Sequence, residues 1–149
     1  GGTSNYKVRT SWYPTSTYGD LYSTVFDTGV EGGAQFNSIA IRGFEPSNPP
    51  DGTRIWVQFA ASNCSNGAID PPTCSSGTWT FSGLDGTSLT YYLPVGTGVD
   101  VGADNLYFSN LNGRIYNNQR YFRYRIRLQS NKTQDLTPVV NDVIVNWSP

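Results

Sequence analysis

Few residues in this chain have the types and spacing that chemistry needs. Histidine is absent. That removes the side chain best suited to general acid–base work near neutral pH, and with it the Ser-His and Cys-His nucleophile systems. Paired carboxylates are the remaining hydrolytic option. Glu31 and Glu45 are the only glutamates, and both adjoin loop signals. Asp27, Asp51, Asp70, Asp85, Asp100, Asp104, Asp135 and Asp142 are scattered, mostly in turn-forming stretches. There an aspartate ordinarily caps its own backbone. The expectation is a protein with no catalytic residues.

Two other constellations could bind a ligand or brace a loop. Cys64 and Cys74 lie in SNCSNGAIDPPTCSSG, a turn-forming stretch without regular pattern. In an extracellular chain this spacing points to a disulfide, the alternative being two free thiols. A zinc site is not expected, because two thiolates without histidine do not close a zinc shell. Asp100 and Asp104, in GVDVGADN, could hold a structural calcium with Asn105 or backbone carbonyls as helpers. Asp27 with Asp142 is a second pairing if their strands meet. The favoured reading of all these carboxylates is solvated turn residues.

The cationic candidates are Arg123, Arg125 and Arg127, in the run RYFRYRIRLQ. They alternate with Phe122, Tyr124, Ile126 and Leu128. A period of two places the arginines on one strand face and the apolar residues on the other. Such a row needs compensation: stacking on Tyr or Trp, pairing with Asp142, or a partner's carboxylate or sulfate. The simplest reading is a solvated face with alkyl stems packed on aromatics. Among aromatics, Trp56 and Tyr92 are the candidate contacts for a glycan or protein partner. Trp56 stands opposite Ile55 and Val57, and Tyr92 opposite the face shared by Leu89, Tyr91 and Leu93. Asn63, Asn131 and Asn146 stand in N-x-S/T sequons, relevant only where the source glycosylates them.

Composition narrows the setting. Charged residues are 14% of the chain, against about 25% in average proteins. Net charge is -1, with eight arginines among ten basic residues, so nucleic acid is not an expected partner. A surface covered by Ser, Thr, Asn, Gln and Tyr suggests an extracellular, cell-surface location. No run is long and apolar enough to span a bilayer as a helix. The opening GGTSNYK shows no leader pattern and reads as a mature product or a fragment.

These residues must be positioned by strands. With 149 residues there is room for one domain with a full core. Residues 1–20 read as an N-terminal linker or edge strand, and residues 21–149 as a single domain. Strands are predicted at residues 21–28, 35–44, 54–61, around Trp79 and Phe81, at 88–93, 106–108, 121–129 and 139–147. In the central strand Ile55, Val57, Phe59 and Ala61 should face one way and Trp56, Gln58 and Ala60 the other. In the last strand Val143, Val145 and Trp147 alternate with Asp142, Ile144 and Asn146. Short alternating strands separated by Gly, Pro, Asn and Asp turns predict an all-β, antiparallel, jelly-roll-like sandwich.

Several stretches together resemble a known family: FDTG (26–29), GAQFNSIAIRG (33–43), PPDGTRIWVQFAASN (49–63), GTWTFSGLDGTS (77–88), NNQRYFRYRIRLQS (117–130) and TPVVNDVIVNWSP (137–149). They are similar to the globular heads of type IV pilin-like and pseudopilin-like surface proteins of candidate-phyla bacteria. That resemblance implies a β-sandwich head, export, leader removal and assembly through an N-terminal apolar helix, with no catalytic residues. Its implied partners are other pilin-like subunits or surface components. The alternative is a carbohydrate-binding module of a secreted protein, with glycans as partners.

Overall fold

A computed structural model describes residues 17–44, 52–68, 77–94, 105–108 and 113–149. Seven strands run through them: β1 (Tyr18–Tyr22), β2 (Phe26–Asp27), β3 (Gln35–Phe44), β4 (Arg54–Ser62), β5 (Asn105–Tyr107), β6 (Tyr121–Gln129) and β7 (Val139–Ser148). A single 3-10 turn covers Gly113–Tyr116. Every strand pairing is antiparallel.

The strands form two stacked sheets, an all-β sandwich. In one, β6 is central: β4 pairs along its whole length on one side, from Arg54↔Gln129 to Ser62↔Tyr121. β1 and then β2 share its other side. In the second sheet β3 lies between β5 and β7. The jelly-roll winding is a finer expectation that these pairings do not establish.

The core lies between the sheets, where the period-two pattern puts it. Phe36, Ile39 and Ile41 of β3 face Ile55, Val57 and Phe59 of β4 and Phe122 and Ile126 of β6. Phe59 is the hub, with ring centroids 5.2 Å from Phe36, 4.8 Å from Phe108, 5.0 Å from Tyr116 and 5.5 Å from Phe122. Offset and edge-on rings at such distances add about 0.5–1.5 kcal/mol per pair beyond area burial. Val143 and Val145 of β7 pack on this cluster, and the Trp147 ring reaches Phe122 at 5.7 Å. The alternation read for β4, β6 and β7 is the one the sandwich uses.

Three expectations change. The predicted strand at 21–28 begins at Tyr18 and is split into β1 and β2. The split falls at Ser23, whose hydroxyl accepts the Tyr124 amide (3.0 Å), a side-chain substitute for a ladder bond. Residues near Trp79 and Phe81, and residues 88–93, touch the sheet only through the bridges Phe59↔Ser82 and Val57↔Tyr92. Between them the chain doubles back so tightly that a Cβ on Gly83 would lie 2.2 Å from the Thr90 carbonyl carbon. A comparable approach fixes the entry to β3. Gly33 has φ +88°, and a Cβ there would stand 2.2 Å from the Asn118 carbonyl carbon. Only glycine meets both demands.

Candidate functional site: the arginine–aromatic face

The outer face of the β1–β6–β4 sheet carries the most ordered polar constellation among the described residues. The alternation of β6 sends Arg123, Arg125 and Arg127 outward while Phe122 and Ile126 go to the core. β1 places Asp20 opposite Arg127 in register. Cross-strand neighbours of opposite charge are the sheet's natural ion pairs. Arg127 grips Asp20 with two donors, Nε to Oδ1 at 2.8 Å and Nη2 to Oδ2 at 3.0 Å. Arg125 adds Nη2 to Oδ2 at 2.7 Å and gives Nη1 to Gln58 Oε1 at 3.1 Å. Gln58 in turn donates to the carbonyls of Ser88 (3.0 Å) and Thr90 (2.7 Å), tying the irregular arm to the sheet.

Aromatic rings fill the spaces between the guanidiniums. Arg127 lies 3.8 Å from the Tyr18 ring centroid and 5.4 Å from that of Tyr91. Arg125 sits between Tyr22 at 5.5 Å and Tyr91 at 5.8 Å. Arg123 covers Trp79 and Phe81, each at 5.8 Å, and donates Nε to the Ser23 carbonyl at 2.8 Å. Trp56 meets Tyr91 edge-on at 5.3 Å. Its Nε1 and the Arg125 Nε are buried donors with no hydrogen-bond partner among the described residues. Of the compensations weighed for the arginine row, stacking on aromatic rings is the one seen, with the guanidiniums rather than the alkyl stems against the rings. Its carboxylate partner is Asp20, not Asp142, which lies on β7 of the other sheet opposite Arg42.

Arg127, through its hydrogen bond, holds the Asp20 carboxyl down at about 2. Asp27 is likewise lowered to about 2, by bidentate Arg120 (2.8 Å to each oxygen) and the Gly29 amide. Asp27 and Asp142 therefore form no shared site: β2 and β7 belong to different sheets. Asp85 is lowered by the Thr90 hydroxyl and the Thr87 amide, and Asp135 by Thr133 and Asn131. No group of three or more acidic, Cys or His side chains suited to a metal occurs among the described residues. Asp100 and Asp104 lie outside them.

Tyr92 is a correction. It is 2% exposed and belongs to the core, its ring 5.4 Å from Phe108. The cause is its bridge to Val57: directly opposite residues share a face, and Val57 points inward. Leu89, Tyr91 and Leu93 are consequently the outward set, with Leu89 87% exposed. The Tyr92 hydroxyl donates to Tyr116 Oη at 3.4 Å, and Tyr116 donates to the Ser82 carbonyl at 3.1 Å. Burial raises the pKa of both phenols. Trp56 does lie on the outer face, half-buried beside Tyr91.

Cys64 is buried and is not a free thiol; Cys74 lies outside the described residues. The turn around Cys64 is closed by the Ser62 hydroxyl, which donates to the Ala68 carbonyl and accepts the Cys64 amide.

Sequence reasoning missed Asp20, Tyr91 and the Arg120–Asp27 pair. The signal for Asp20 was present: Tyr18, Asp20 and Tyr22 alternate with Gly19 and Leu21, the same period as the arginine row.

Comparison with protein families, curated proteins and solved structures finds no match.

Proposed function

We propose that this chain is a non-catalytic, extracellular head domain of a pilin-like surface or filament subunit. It acts in assembly or adhesion through its outer sheet face. The observation that carries this reading is the arginine–aromatic face: planar donors and rings held in fixed order by Asp20, Gln58 and the β-ladder. Guanidiniums fixed by ion pairs and stacking lose little freedom on meeting a partner. Four of the described carboxylates support the non-catalytic part: Asp20, Asp27, Asp85 and Asp135 are drawn toward the ionised state, away from what a proton donor needs. The resemblance of the sequence to pilin-like heads supports the setting. Cys64 and Cys74 brace the segment between them as a disulfide.

The test is immunogold labelling of intact source cells with antibody to this domain. Label on filaments or on the outer surface is the expected result; label confined to the cell interior overturns the proposal.

A second reading, a carbohydrate-binding module, is favoured by one pair. Trp56 and Tyr91 offer aromatic surface beside the donors of Arg125 and Arg127. A glycan array run with calcium and with chelator separates the two readings. Saturable binding lost in Trp56→Ala selects the module, and loss with chelator supports a calcium site at Asp100 and Asp104. No binding in either buffer rejects it.

A further inference from the structure

The arginine row carries more donors than its surroundings have acceptors. Arg123 gives Nε to the Ser23 carbonyl, but its two Nη groups meet no acceptor among the described residues, and neither does Nη1 of Arg127. The carboxylate and amide oxygens of the face are already engaged: both Asp20 oxygens by Arg125 and Arg127, and Gln58 Oε1 by Arg125. The shortage continues below the surface at Trp56 Nε1 and Arg125 Nε, both on side chains that contact the Tyr91 ring. Among the described residues Asp20 is the one carboxylate bonded to the three arginines. Three guanidinium charges against one carboxylate leave the row cationic. A surface richer in donors than acceptors favours a ligand group that only accepts, such as a carboxylate or a sulfate, over a neutral hydroxyl, which also donates.

The rings decide what carries the anion. Tyr18 lies against Arg127 and Tyr22 against Arg125, yet they stay 60% and 49% exposed, so aromatic surface remains bare beside the guanidiniums. Phe81 meets Tyr22 edge-on at 5.3 Å and continues the aromatic strip to Arg123. Bare rings along the face of a sheet suit the apolar C–H face of a sugar ring. An acidic peptide would instead use a strand edge, where its main chain finds hydrogen bonds. Nucleic acid is disfavoured by the chain's net charge of -1. Arg123 and Arg127 stand four residues apart on one strand, about 13 Å, so a ligand that engages both is a polymer rather than a single sugar.

We infer that the outer face binds an acidic polysaccharide. Its anionic groups pair with the free Nη donors of Arg123 and Arg127, and its sugar rings lie on Tyr18 and Tyr22. Arg125, engaged by Asp20 and Gln58, holds the row in order. This ligand class rests on the proposed role of the outer face as a contact surface. Surface labelling of cells does not depend on the ligand, so the two fail separately.

The test is isothermal titration calorimetry of the full chain with polygalacturonate, dextran sulfate, uncharged dextran, polyglutamate and single-stranded DNA, at low and moderate salt. Saturable binding of polygalacturonate or dextran sulfate, weakened by salt, is the expected result, and the tighter of the two tells carboxylate from sulfate. Arg123→Gln leaves the Asp20 ion pairs in place and should weaken that binding about tenfold, with the circular dichroism and Tm of the parent. Tyr22→Leu should weaken it several-fold by removing a ring. Polyglutamate or DNA bound as tightly would show charge alone at work and overturn the inference. Dextran bound as tightly also overturns it, leaving a site for neutral glycans. No binding to any polymer, or full binding by Arg123→Gln, overturns it outright.

Discussion

The two faces of β6 are one residue apart along the chain and are held by different physics. Inward, Phe122 and Ile126 are fixed by close packing around Phe59. Outward, Arg123, Arg125 and Arg127 are fixed by directional bonds to Asp20, Gln58 and the Ser23 carbonyl, with aromatic rings as spacers. The inner face has no access to water, so losing a side chain there leaves a void. The outer face keeps part of its exposure, so water can replace part of what a substitution removes. One strand thus divides by parity: close packing on one side, an ordered array of ion pairs and rings on the other.

The sharpest way to break this contrast is at the hub. Phe59→Ala removes a fully buried ring and should cost about 4 kcal/mol, measured by urea denaturation. A loss near the outer-face values would mean that the core repacks freely and that the contrast is wrong. Gly33→Ala forces a Cβ against the Asn118 backbone at a positive φ and should cost about 3 kcal/mol. That value would confirm that the entry to β3 is fixed by backbone contact rather than by side chains. Reducing the proposed Cys64–Cys74 pair should cost about 2 kcal/mol. The check is a lowered Tm with the circular dichroism of the folded state retained; an unchanged Tm after verified reduction would remove the bracing role.

The smallest effect belongs to the outer face. Asp20→Asn should cost about 1 kcal/mol after allowance for solvent screening, because the side chains of Asp20, Arg125 and Arg127 keep 17–20% of their exposure. The sign follows from the lowered carboxyl. Asp20 titrates at about 2 in the folded protein, below its ordinary 3.8, so its contribution is complete above pH 4. It is lost as pH falls through 2. Unfolding free energy of the parent chain should decline over that interval more steeply than that of Asp20→Asn. Equal slopes would show that the Asp20 ion pairs contribute nothing.

Strand positions were legible where one face is core and the pairing is long. RIWVQFAAS and YFRYRIRLQ carry their period in plain form, and β4 and β6 follow it; QFNSIAIRGF alternates less cleanly, and a register shift between Phe36 and Ser38 brings Phe36 to the core face with Ile39 and Ile41. The stretch 88–93 misled because apolar Leu89 and Leu93 suggested an inward face. A single bridge between Val57 and Tyr92 reverses that, and the register of one isolated bridge leaves no period to read. The arginine row was legible as a row, and the alternation of Tyr18, Asp20 and Tyr22 was there to read, but the pairing of the two was not. Asp20 is 105 residues from Arg125, and β1 binds β6 through ladder geometry that local spacing does not encode. Missing from the sequence reading for the same reason was the Arg120–Asp27 pair, which depends on β2 also reaching β6.

The central proposal is that the outer face meets a partner while the inner face serves only the fold. The direct measurement is to introduce Arg123→Gln together with Arg127→Gln in source cells, leaving Arg125 to hold Asp20. Surface or filament immunogold density and the Tm of the purified domain are then read side by side. The account expects a Tm within a few degrees of the parent and a several-fold loss of surface or filament label. Full labelling with an unchanged Tm would show that this face contacts nothing, and would contradict the account.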